Sequence, residues 1–338
     1  MINNLFNKEY ILELLTKEVL PLYDNFATIK DLEIKAYKKH IWEKTYHIVT
    51  EYKTIFINKN NEEEERLIFC SAHHKEPRKN VYDALKFLWD NGFNKNNLSV
   101  PRALFFSEDF NGIFYEGVEG NHLYHYIRKD DRKEIENIIK KFTVWLAKLH
   151  ALPTQNVVNF NPENSRIKTV VPGSDHFLSK IKKEFPENYN FCKRAYDVFI
   201  KTEEDFLRSS NKLWVTHGDA HPENVINVNE KTIAMIDFTD LCLTDFTRDL
   251  GCFLQQLNFM YLRKNDDKEY ALKIRNLFLT EYFKNSKIEL TSDLEKRINN
   301  YYYWTAMRTA GLFINGDQER KKRTFMLWKE IENWLDLQ

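Results

Sequence analysis

The sequence predicts an α+β protein with two lobes: a small lobe built on an antiparallel sheet with one main helix, and a large lobe that is mostly helical. Three observations predict this arrangement. Runs rich in β-branched and aromatic residues, which favour strands, occupy the first third of the chain. Apolar residues with helical spacing dominate the remainder. Between the helical stretches, residues 213–237 have the pattern of a short strand, a polar loop and a hairpin.

The signals for the sheet lobe lie before residue 119. Helical apolar spacing predicts a leading helix over residues 8–23. The strand-forming runs are two within residues 31–57, then 67–70, 100–106 and 112–118. A helix that begins near Pro77 and ends at Asn91-Gly92 interrupts them, because Gly is common just after a helix. We therefore expect five strands and one inserted helix in this lobe.

Long amphipathic segments predict the helical lobe. They cover residues 132–152, 176–209, 246–263, 267–284, 291–313 and 318–337. The change from strand patterns to helical patterns places the domain boundary after residue 118. The predicted domains are therefore residues 1–118 and 119–338.

The composition narrows the classes of protein. The chain has 338 residues, of which 43% are hydrophobic, enough for one large or two modest cores. Fifty basic residues balance fifty acidic ones, so nothing favours nucleic acid as a partner. No apolar run approaches the ~20 residues of a membrane helix, and the first residues lack the pattern of a signal peptide. We expect a cytoplasmic monomer or homodimer without membrane contact.

Residues 217–224, with the sequence HGDAHPEN, contain the strongest functional signal. Asp219 and Asn224 stand five positions apart, and a second carboxylate, Asp237, ends the apolar run at residues 232–236. Phosphoryl-transfer enzymes use this spacing because one turn of loop must aim a carboxylate at the attacking hydroxyl and an amide at a metal ion. The pattern predicts Asp219 as the residue that accepts the hydroxyl proton, with Asn224 and Asp237 as magnesium ligands.

This block, followed by a strand that ends in Ile236-Asp237-Phe238, resembles the aminoglycoside phosphotransferase and choline kinase superfamily, which has a two-lobed protein-kinase-like fold. The resemblance implies ATP-dependent or GTP-dependent phosphorylation of a hydroxyl on a small molecule, with Mg²⁺. The substrates it implies are amino sugars, aminoglycosides or choline-like alcohols. It also implies that residues 1–118 form the nucleotide-binding lobe with its leading helix. Residues 119–338 would then be the catalytic and substrate-binding lobe.

The resemblance extends to residues outside the block. In this family the backbone of a hinge segment binds the edge of the adenine base. Backbone groups near Glu116 and Val118 correspond to that hinge. Asp249, in the run that opens a predicted helix, would tie that helix to the catalytic loop. Within the block itself, His217 is predicted to brace the same loop through hydrogen bonds rather than to transfer protons. Asp249 and His217 are therefore predicted as structural supports.

Two features of the kinase nucleotide site are missing from the chain. Kinases cover the phosphates with glycine-rich backbone, but no glycine precedes Gly92. The strand expected to carry a phosphate-binding lysine, residues 67–72, has none. The interpretation we favour is that replacement cations such as Lys44, Lys75 or Arg78 contact the phosphates. The alternative is a pseudokinase or non-enzymatic binding module that has lost its nucleotide site.

The residues that select the substrate are the hardest to predict. An amino sugar would require an acidic pocket, for which Asp240 and Asp245 are candidates, and His221 would face the substrate from the catalytic loop. A choline-like alcohol would require an aromatic cage, for which residues 301–304, Tyr-Tyr-Tyr-Trp, are candidates. Consecutive residues spread around a helix, so most of that run is expected in the core.

Overall fold

The computed structural model describes residues 2–76, 78–155 and 157–336. The chain divides into two compact units, Met1–Gly120 with Val228–Thr239, and Asn121–Asn227 with Asp240–Gln338. The first unit thus includes a short segment that follows the HGDAHPEN block in the sequence. Pro77, near the predicted start of one helix, and Leu337, the predicted end of another, lie outside the described residues.

Within the described residues, both units contain helices and strands. The helices are α1 (Lys8–Glu18), α2 (Arg78–Asp90), α3 (Leu123–Lys129), α4 (Arg132–His150), α5 (Ser174–Glu184), α6 (Tyr189–Ser209), α7 (Thr247–Asn265), α8 (Lys268–Ser286), α9 (Ser292–Phe313) and α10 (Gln318–Leu335). The strands are β1 (Phe26–Ile41), β2 (Tyr46–Asn58), β3 (Glu63–His73), β4 (Asn94–Lys95), β5 (Leu98–Ser99), β6 (Arg102–Ser107), β7 (Gly112–Glu116), β8 (Asn121–His122), β9 (Trp214–Thr216), β10 (Val225–Asn227), β11 (Ile233–Met235) and β12 (Cys242–Thr244). The predicted α+β class, with an antiparallel-sheet lobe and a helical lobe, is confirmed.

The main sheet of the first unit has five antiparallel strands in the order β1-β2-β3-β7-β6. Every second residue of β2 from Ile48 to Phe56 is buried, as expected for side chains on one face of a strand, and Ile48, Tyr52 and Phe56 are the apolar ones. These side chains share a core with Ile11 and Leu15 of α1. The leading helix therefore packs on the sheet, while α2 packs against β6 and β7.

The hairpin of β1 and β2 has an exposed end. From Lys35 to Ile41 nearly every residue of β1 is exposed. The turn that follows places Trp42 at the surface, 59% exposed, with its ring stacked on that of His40. This turn stands where kinases have their glycine-rich loop, and it consists of bulky and basic residues instead.

The second unit is built from helices that pack closely in pairs. α4 packs against α8, and α7 packs against α9. Gly251 permits the second contact, because a Cβ atom there would lie 2.7 Å from Cβ of Tyr301. The short strands β9 and β12 pair beside these helices, so the chain enters residues 217–224 from a fixed position. No helix in the described part of the chain is long and apolar enough to cross a membrane.

The helical segment predicted over residues 176–209, for which no internal boundary was given, is divided into α5 and α6. Phe185 has a non-helical backbone between them, with φ −144° and ψ 62°. Pro186 follows it, and proline disfavours a helical conformation in the preceding residue. The short helix α3 and the two-residue strands β4, β5 and β8 were not predicted, because such segments contain too little periodicity.

Candidate active site

Residues 217–224 form a loop directly after β9, and one glycine fixes its path. Gly218 has a φ of +83°, a conformation that residues with a side chain rarely adopt. A Cβ atom at this position would also collide with the backbone oxygen of Asp240. Glycine is therefore required both by the backbone conformation and by the close approach of the Asp240 segment.

A buried carboxylate on α7 holds the start of the loop. Asp249 accepts hydrogen bonds from the backbone N–H groups of His217, at 2.7 Å, and Gly218, at 2.9 Å. Nε2 of His150 lies 3.1 Å from the same carboxylate, and its Nδ1 lies 2.7 Å from the Tyr282 hydroxyl. A neutral imidazole satisfies both contacts when Nε2 carries the proton and Tyr282 donates to Nδ1. The first two peptide groups of the loop are thereby fixed to the helical bundle.

The neighbouring Arg248 holds the next peptide group of the loop. Its Nη2 donates to the carbonyl oxygen of Gly218 at 3.1 Å, and its Nη1 donates to the carbonyl oxygen of Asn164. The guanidinium is fully buried and packs over the ring of Trp304. A buried charge is costly unless its donors are paired, so these contacts restrict both the arginine and the loop.

Asp219 is presented at the surface of this loop. Its side chain is 55% exposed, and Nε2 of His221 lies 3.6 Å from its carboxylate. Nδ1 of His221 accepts a hydrogen bond from the N–H of Glu223 at 3.2 Å, which orients the ring. Surrounding protein atoms raise the pKa of Asp219, but the hydrogen bond and charge of His221, with the charges of His217 and Arg308, lower it to about 2. Asp219 is therefore an ionised carboxylate near neutral pH.

Two buried residues stabilise the loop from within. His217 accepts a hydrogen bond at Nδ1 from the N–H of Asp219, at 3.3 Å. Asn224 donates from Nδ2 to the carbonyl oxygen of Asp219, at 3.0 Å. Because the amide nitrogen of Asn224 is engaged, its side-chain oxygen is the group that would bind a cation.

A cavity of about 240 Å³ opens beside Asp219 within the second unit. Its walls come from the loop, from α7 and from α9, and they include His221, Gln256, Trp304 and Arg308. The structure thus places His221, a predicted substrate contact, in the same cavity as the candidate base. The aromatic run at residues 301–304 contributes only Trp304 to this wall, and Tyr301 and Tyr302 are buried.

The two predicted acidic substrate contacts have different surroundings. Asp240 is half-buried beside the loop and accepts a hydrogen bond from Asn164. Burial and the charge of Asp219 raise its pKa. Asp245 is fully buried, lies 2.7 Å from Nη1 of Arg297 and accepts the first N–H of α7. The prediction of Asp245 as a substrate contact is therefore wrong, because its carboxylate is an internal ion-pair partner and helix cap.

Asp237 belongs to the first unit, where it is exposed and has a left-handed backbone with φ +64°. Asp tolerates this conformation better than most residues, and such outliers concentrate at functional sites. Its carboxylate accepts a hydrogen bond from the Thr239 hydroxyl at 3.0 Å, and Nη1 of Arg78 donates to the same hydroxyl at 3.3 Å. Arg78 is only 6% exposed, and its Nη2 lies 2.8 Å from Glu76. The first unit therefore links an exposed carboxylate to a buried cation through one hydroxyl.

The other residues predicted to bind the nucleotide also lie in the first unit. Lys44, in the β1–β2 turn, and Lys75, after β3, are both exposed. Glu116 is the last paired residue of β7, and its side chain accepts a hydrogen bond from the Tyr23 hydroxyl at 2.9 Å. Val118 follows beyond the paired part of that strand, where the sheet does not use its peptide groups.

A family model described as the phosphotransferase enzyme family matches residues 53–283, more than half of the sequence. The chain belongs to the phosphotransferase enzyme family. The resemblance seen in residues 217–238 is thereby confirmed, as is the prediction of an enzyme of the small-molecule kinase type. No curated protein matches the chain.

Solved structures with similar folds agree with this family assignment. The streptomycin–ATP–APH(2″)-IIa ternary complex has a TM-score of 0.55 and 14% identity, covering 96% of this chain and 95% of that chain. The ethanolamine kinase of Plasmodium vivax has a TM-score of 0.55 and 17% identity, covering 89% of this chain and 81% of that chain. A macrolide 2′-phosphotransferase of type I has a TM-score of 0.51 and 13% identity, covering 94% and 96%. At these identities the likeness establishes the fold.

Mg²⁺, the metal predicted from the sequence, prefers oxygen donors. No group of three or more His, Cys, Asp or Glu side chains is placed to hold a metal ion anywhere in residues 2–76, 78–155 or 157–336. The predicted donors are the exposed carboxylate of Asp237 and the amide oxygen of Asn224. Magnesium is usually bound through one or two protein groups together with substrate phosphates, and each of these two residues offers an oxygen donor of the kind it prefers.

Sequence reasoning gave no role to Arg248, Asn164 or Arg308, all of which lie at the loop or its cavity. For Arg248 the one signal in the sequence was its position directly before Asp249, which was predicted to support the loop. Asn164 and Arg308 come from segments remote from the loop in the chain. Their positions depend on tertiary packing, which no local pattern encodes.

Proposed function

We propose that this phosphotransferase transfers the terminal phosphoryl group of ATP, or of GTP, to a hydroxyl group of a small molecule. The observation that carries the proposal is Asp219, an ionised carboxylate that stands on a tightly held loop and opens onto a cavity. A carboxylate in this position accepts a hydrogen bond from a substrate hydroxyl and orients the oxygen for attack.

In the proposed reaction the substrate oxygen forms a bond to the terminal phosphorus while the bond from that phosphorus to the bridging oxygen of the nucleotide breaks. The hydroxyl proton passes to Asp219, and the nucleoside diphosphate leaves. With a pKa of about 2, Asp219 is a weak base, so it acts mainly by orienting the hydroxyl. This suits a loose transition state, in which the attacking oxygen needs little activation before the phosphoryl group departs.

Asn224 and Asp237 are the residues we propose as magnesium ligands, from the sequence motif and from the oxygen atoms they offer. A bound Mg²⁺ would neutralise charge on the transferring phosphoryl group. The hydrogen bond from Asn224 to the Asp219 carbonyl keeps the amide in one orientation. Asp237 is restrained in a similar way by the Thr239 hydroxyl.

Arg78 is our proposal for the cation that replaces the missing strand lysine. Kinases pair that lysine with a glutamate, and Arg78 pairs with Glu76 at 2.8 Å. Nε of Arg78 is buried without a hydrogen-bond partner among the described residues, which is unfavourable unless a ligand is bound. Lys44 and Lys75 are exposed and flexible, so ordering them on a phosphate costs more entropy.

The backbone of Glu116 and Val118 is proposed to bind the edge of the nucleotide base, as the hinge does in related folds. A similar structure contains ATP, which supports ATP as the donor, with GTP as the alternative. These nucleotides belong to the cytoplasm, where we place the reaction. The similar structures are named for streptomycin, ethanolamine and a macrolide, so the fold alone does not select the acceptor. A monomer or homodimer remains the expected assembly.

Calorimetric titration of ATP, and then of GTP, with and without Mg²⁺ tests this proposal. We expect magnesium-dependent binding that the Asp237→Ala variant weakens about tenfold or more, equivalent to ~1.4 kcal/mol. The matched control is Asp109→Ala, which removes another exposed carboxylate of the first unit and should leave binding unchanged. Equal binding by wild type and Asp237→Ala would contradict the metal assignment.

A binding module without catalytic activity is the second candidate function. The missing glycines and the missing strand lysine favour it. If the wild-type protein bound neither nucleotide at any magnesium concentration, this candidate would replace the phosphotransfer proposal.

A further inference from the structure

The cavity beside Asp219 contains a positive charge that the proposed reaction does not use. Arg308 of α9 lines this cavity together with Asp219 and Gln256. The side chain is half-buried, and its guanidinium lies over the ring of Trp304, 5.1 Å from the ring centroid. The cation is thus held by an aromatic surface on one side and faces the cavity.

Arg308 lacks the partners that other arginines of this unit have. Arg297, on the same helix, lies 2.7 Å from Asp245, and Arg248 donates to two carbonyl oxygens. Among the residues that the structure describes, Arg308 forms neither a hydrogen bond nor an ion pair. The guanidinium has five N–H donors, and its nitrogen atoms are open to the cavity rather than buried in the protein. These donors are therefore available to an anion bound in the cavity.

The charges around Arg308 agree with this interpretation. Burial and the nearby charge of Arg248 lower the pKa of Arg308, whereas Asp219 raises it. Arginine nevertheless stays protonated in proteins, so the lowered pKa indicates that its charge is poorly compensated. Among the acidic groups, Asp219 has the largest effect on the pKa of Arg308. In the proposed reaction, however, Asp219 binds the substrate hydroxyl.

We propose that the acceptor substrate carries a carboxylate or a phosphate in addition to its reacting hydroxyl. Arg308 binds the anionic group through paired N–H donors, the geometry in which guanidinium groups recognise these anions. Asp219, in the same cavity, binds the hydroxyl. The inference rests on the proposed function, because it takes Asp219 as the residue that orients the acceptor.

The guanidinium of Arg308 and the size of the cavity disfavour the acceptors expected from the sequence, although the exposed carboxylate of Glu223 also lines the cavity. An amino sugar would bring ammonium groups close to Arg308, and like charges repel. A choline-like cation would have to displace Arg308 from the ring of Trp304, the aromatic side chain it would need. The volume of about 240 Å³ lies below the ~300–1,000 Å³ typical of sites for drug-sized ligands, so a small acceptor fits.

Matched probes that differ in charge test this inference on the whole chain. The pairs are glycerate against glycerol, glycerol 3-phosphate against glycerol, and gluconate against glucose and glucosamine. Binding is measured by calorimetry without nucleotide, and phosphorylation is measured separately with ATP and Mg²⁺. We expect the anionic probes to bind and to be phosphorylated in preference to the neutral and cationic ones.

Variants of Arg308 separate recognition of the anion from a general effect on the loop. Arg308→Gln should raise KM for anionic acceptors about tenfold or more, which corresponds to one lost charged hydrogen-bonding group, while kcat changes little. Arg308→Lys should restore part of the loss, because it keeps the charge but not the paired donors. Arg320→Gln, an exposed arginine of α10, is the control and should match wild type.

The outcomes distinguish failure of this inference from failure of the proposed function. Phosphorylation of glycerol, glucose or glucosamine at least as well as of their anionic counterparts would overturn the anion site and leave the kinase intact. Binding of anionic probes that depends on Arg308, without phosphorylation, would support the anion site and contradict the kinase. Binding of no anionic probe, or an unchanged KM in Arg308→Gln, would overturn the inference.

Discussion

The loop at residues 217–224 and the turn between β1 and β2 are built in opposite ways. The loop contains a required glycine, Gly218, and buried side chains of α7 bind both its N–H group and its carbonyl oxygen. The turn has no glycine, and its residues, including Trp42 and Lys44, are exposed. The second unit therefore holds the candidate catalytic loop through buried charges. In the first unit the buried side chain of Arg78 is our proposal for the cation that replaces the strand lysine of kinases.

The largest expected effect comes from the residue that the loop presents. Asp219→Asn should lower turnover about 10²- to 10⁴-fold, because an amide cannot accept the hydroxyl proton. The free energy of unfolding should change by less than about 0.5 kcal/mol, since the carboxylate is largely exposed. Turnover is measured by nucleoside diphosphate release, with Asp197→Asn as the control, since this exposed carboxylate of α6 does not line the cavity. A similar loss in the control, or full turnover in Asp219→Asn, would contradict the assignment.

The buried support of the loop should matter mainly for stability. Asp249→Ala should lower the free energy of unfolding by about 3–5 kcal/mol, because it leaves the His217 and Gly218 N–H groups and His150 without their acceptor. Asp293→Ala, which removes a carboxylate that is 70% exposed, should cost less than about 1 kcal/mol. Urea denaturation of both variants measures the difference. Equal stability would show that the loop does not depend on this carboxylate.

In the first unit, the prediction concerns the buried cation of Arg78 and its role in nucleotide binding. Arg78→Gln should weaken magnesium-nucleotide binding by about 10- to 100-fold, the range for loss of a charge-assisted hydrogen bond. Lys44→Gln and Lys75→Gln should each change it by less than about threefold, because exposed single charges contribute little. Arg78→Lys retains the charge and controls for misfolding, which circular dichroism also checks. A larger effect in either lysine variant would transfer the phosphate contact to that lysine.

The smallest expected effect concerns a buried acid of the second unit. Glu203 is buried and accepts hydrogen bonds from the Ile167 N–H and the Tyr301 hydroxyl. Burial raises its pKa to about 7, against the lowering effect of these hydrogen bonds. The folded state thus binds this proton more tightly than the unfolded state does. The stability that this tighter proton binding contributes is fully present below the pKa that Glu203 has in the unfolded state. It is lost as pH rises towards 7.

Glu203→Gln should remove this pH dependence. Relative to wild type, the variant should gain roughly 1–3 kcal/mol of stability between pH 5 and pH 8. Denaturation curves at the two pH values measure the gain, with Glu204→Gln, a more exposed neighbour, as the control. If the stabilities of wild type and variant changed by the same amount between pH 5 and pH 8, Glu203 would not be the source of the pH dependence.

The sequence predicted elements well where the pattern is long or local. α4 and α9 follow from many turns of apolar spacing, and the five-stranded sheet follows from runs of β-branched and aromatic residues. The division between α5 and α6 was missed because the apolar pattern continues on both sides of Pro186. The acidic residues assigned to the substrate were misjudged in part, since Asp245 turned out to be an internal partner of Arg297.

The sequence by itself determined the family and the residues proposed for chemistry. Asp219, Asn224 and Asp237 were identified because their spacing within a short segment is fixed by the covalent chain. Tertiary structure alone decided which charges are buried, paired or exposed to a cavity. Arg78 is buried and Arg308 faces the cavity because segments remote in sequence pack around them. The burial and pairing of a charge depend on those remote neighbours, and so does its capacity to bind a ligand.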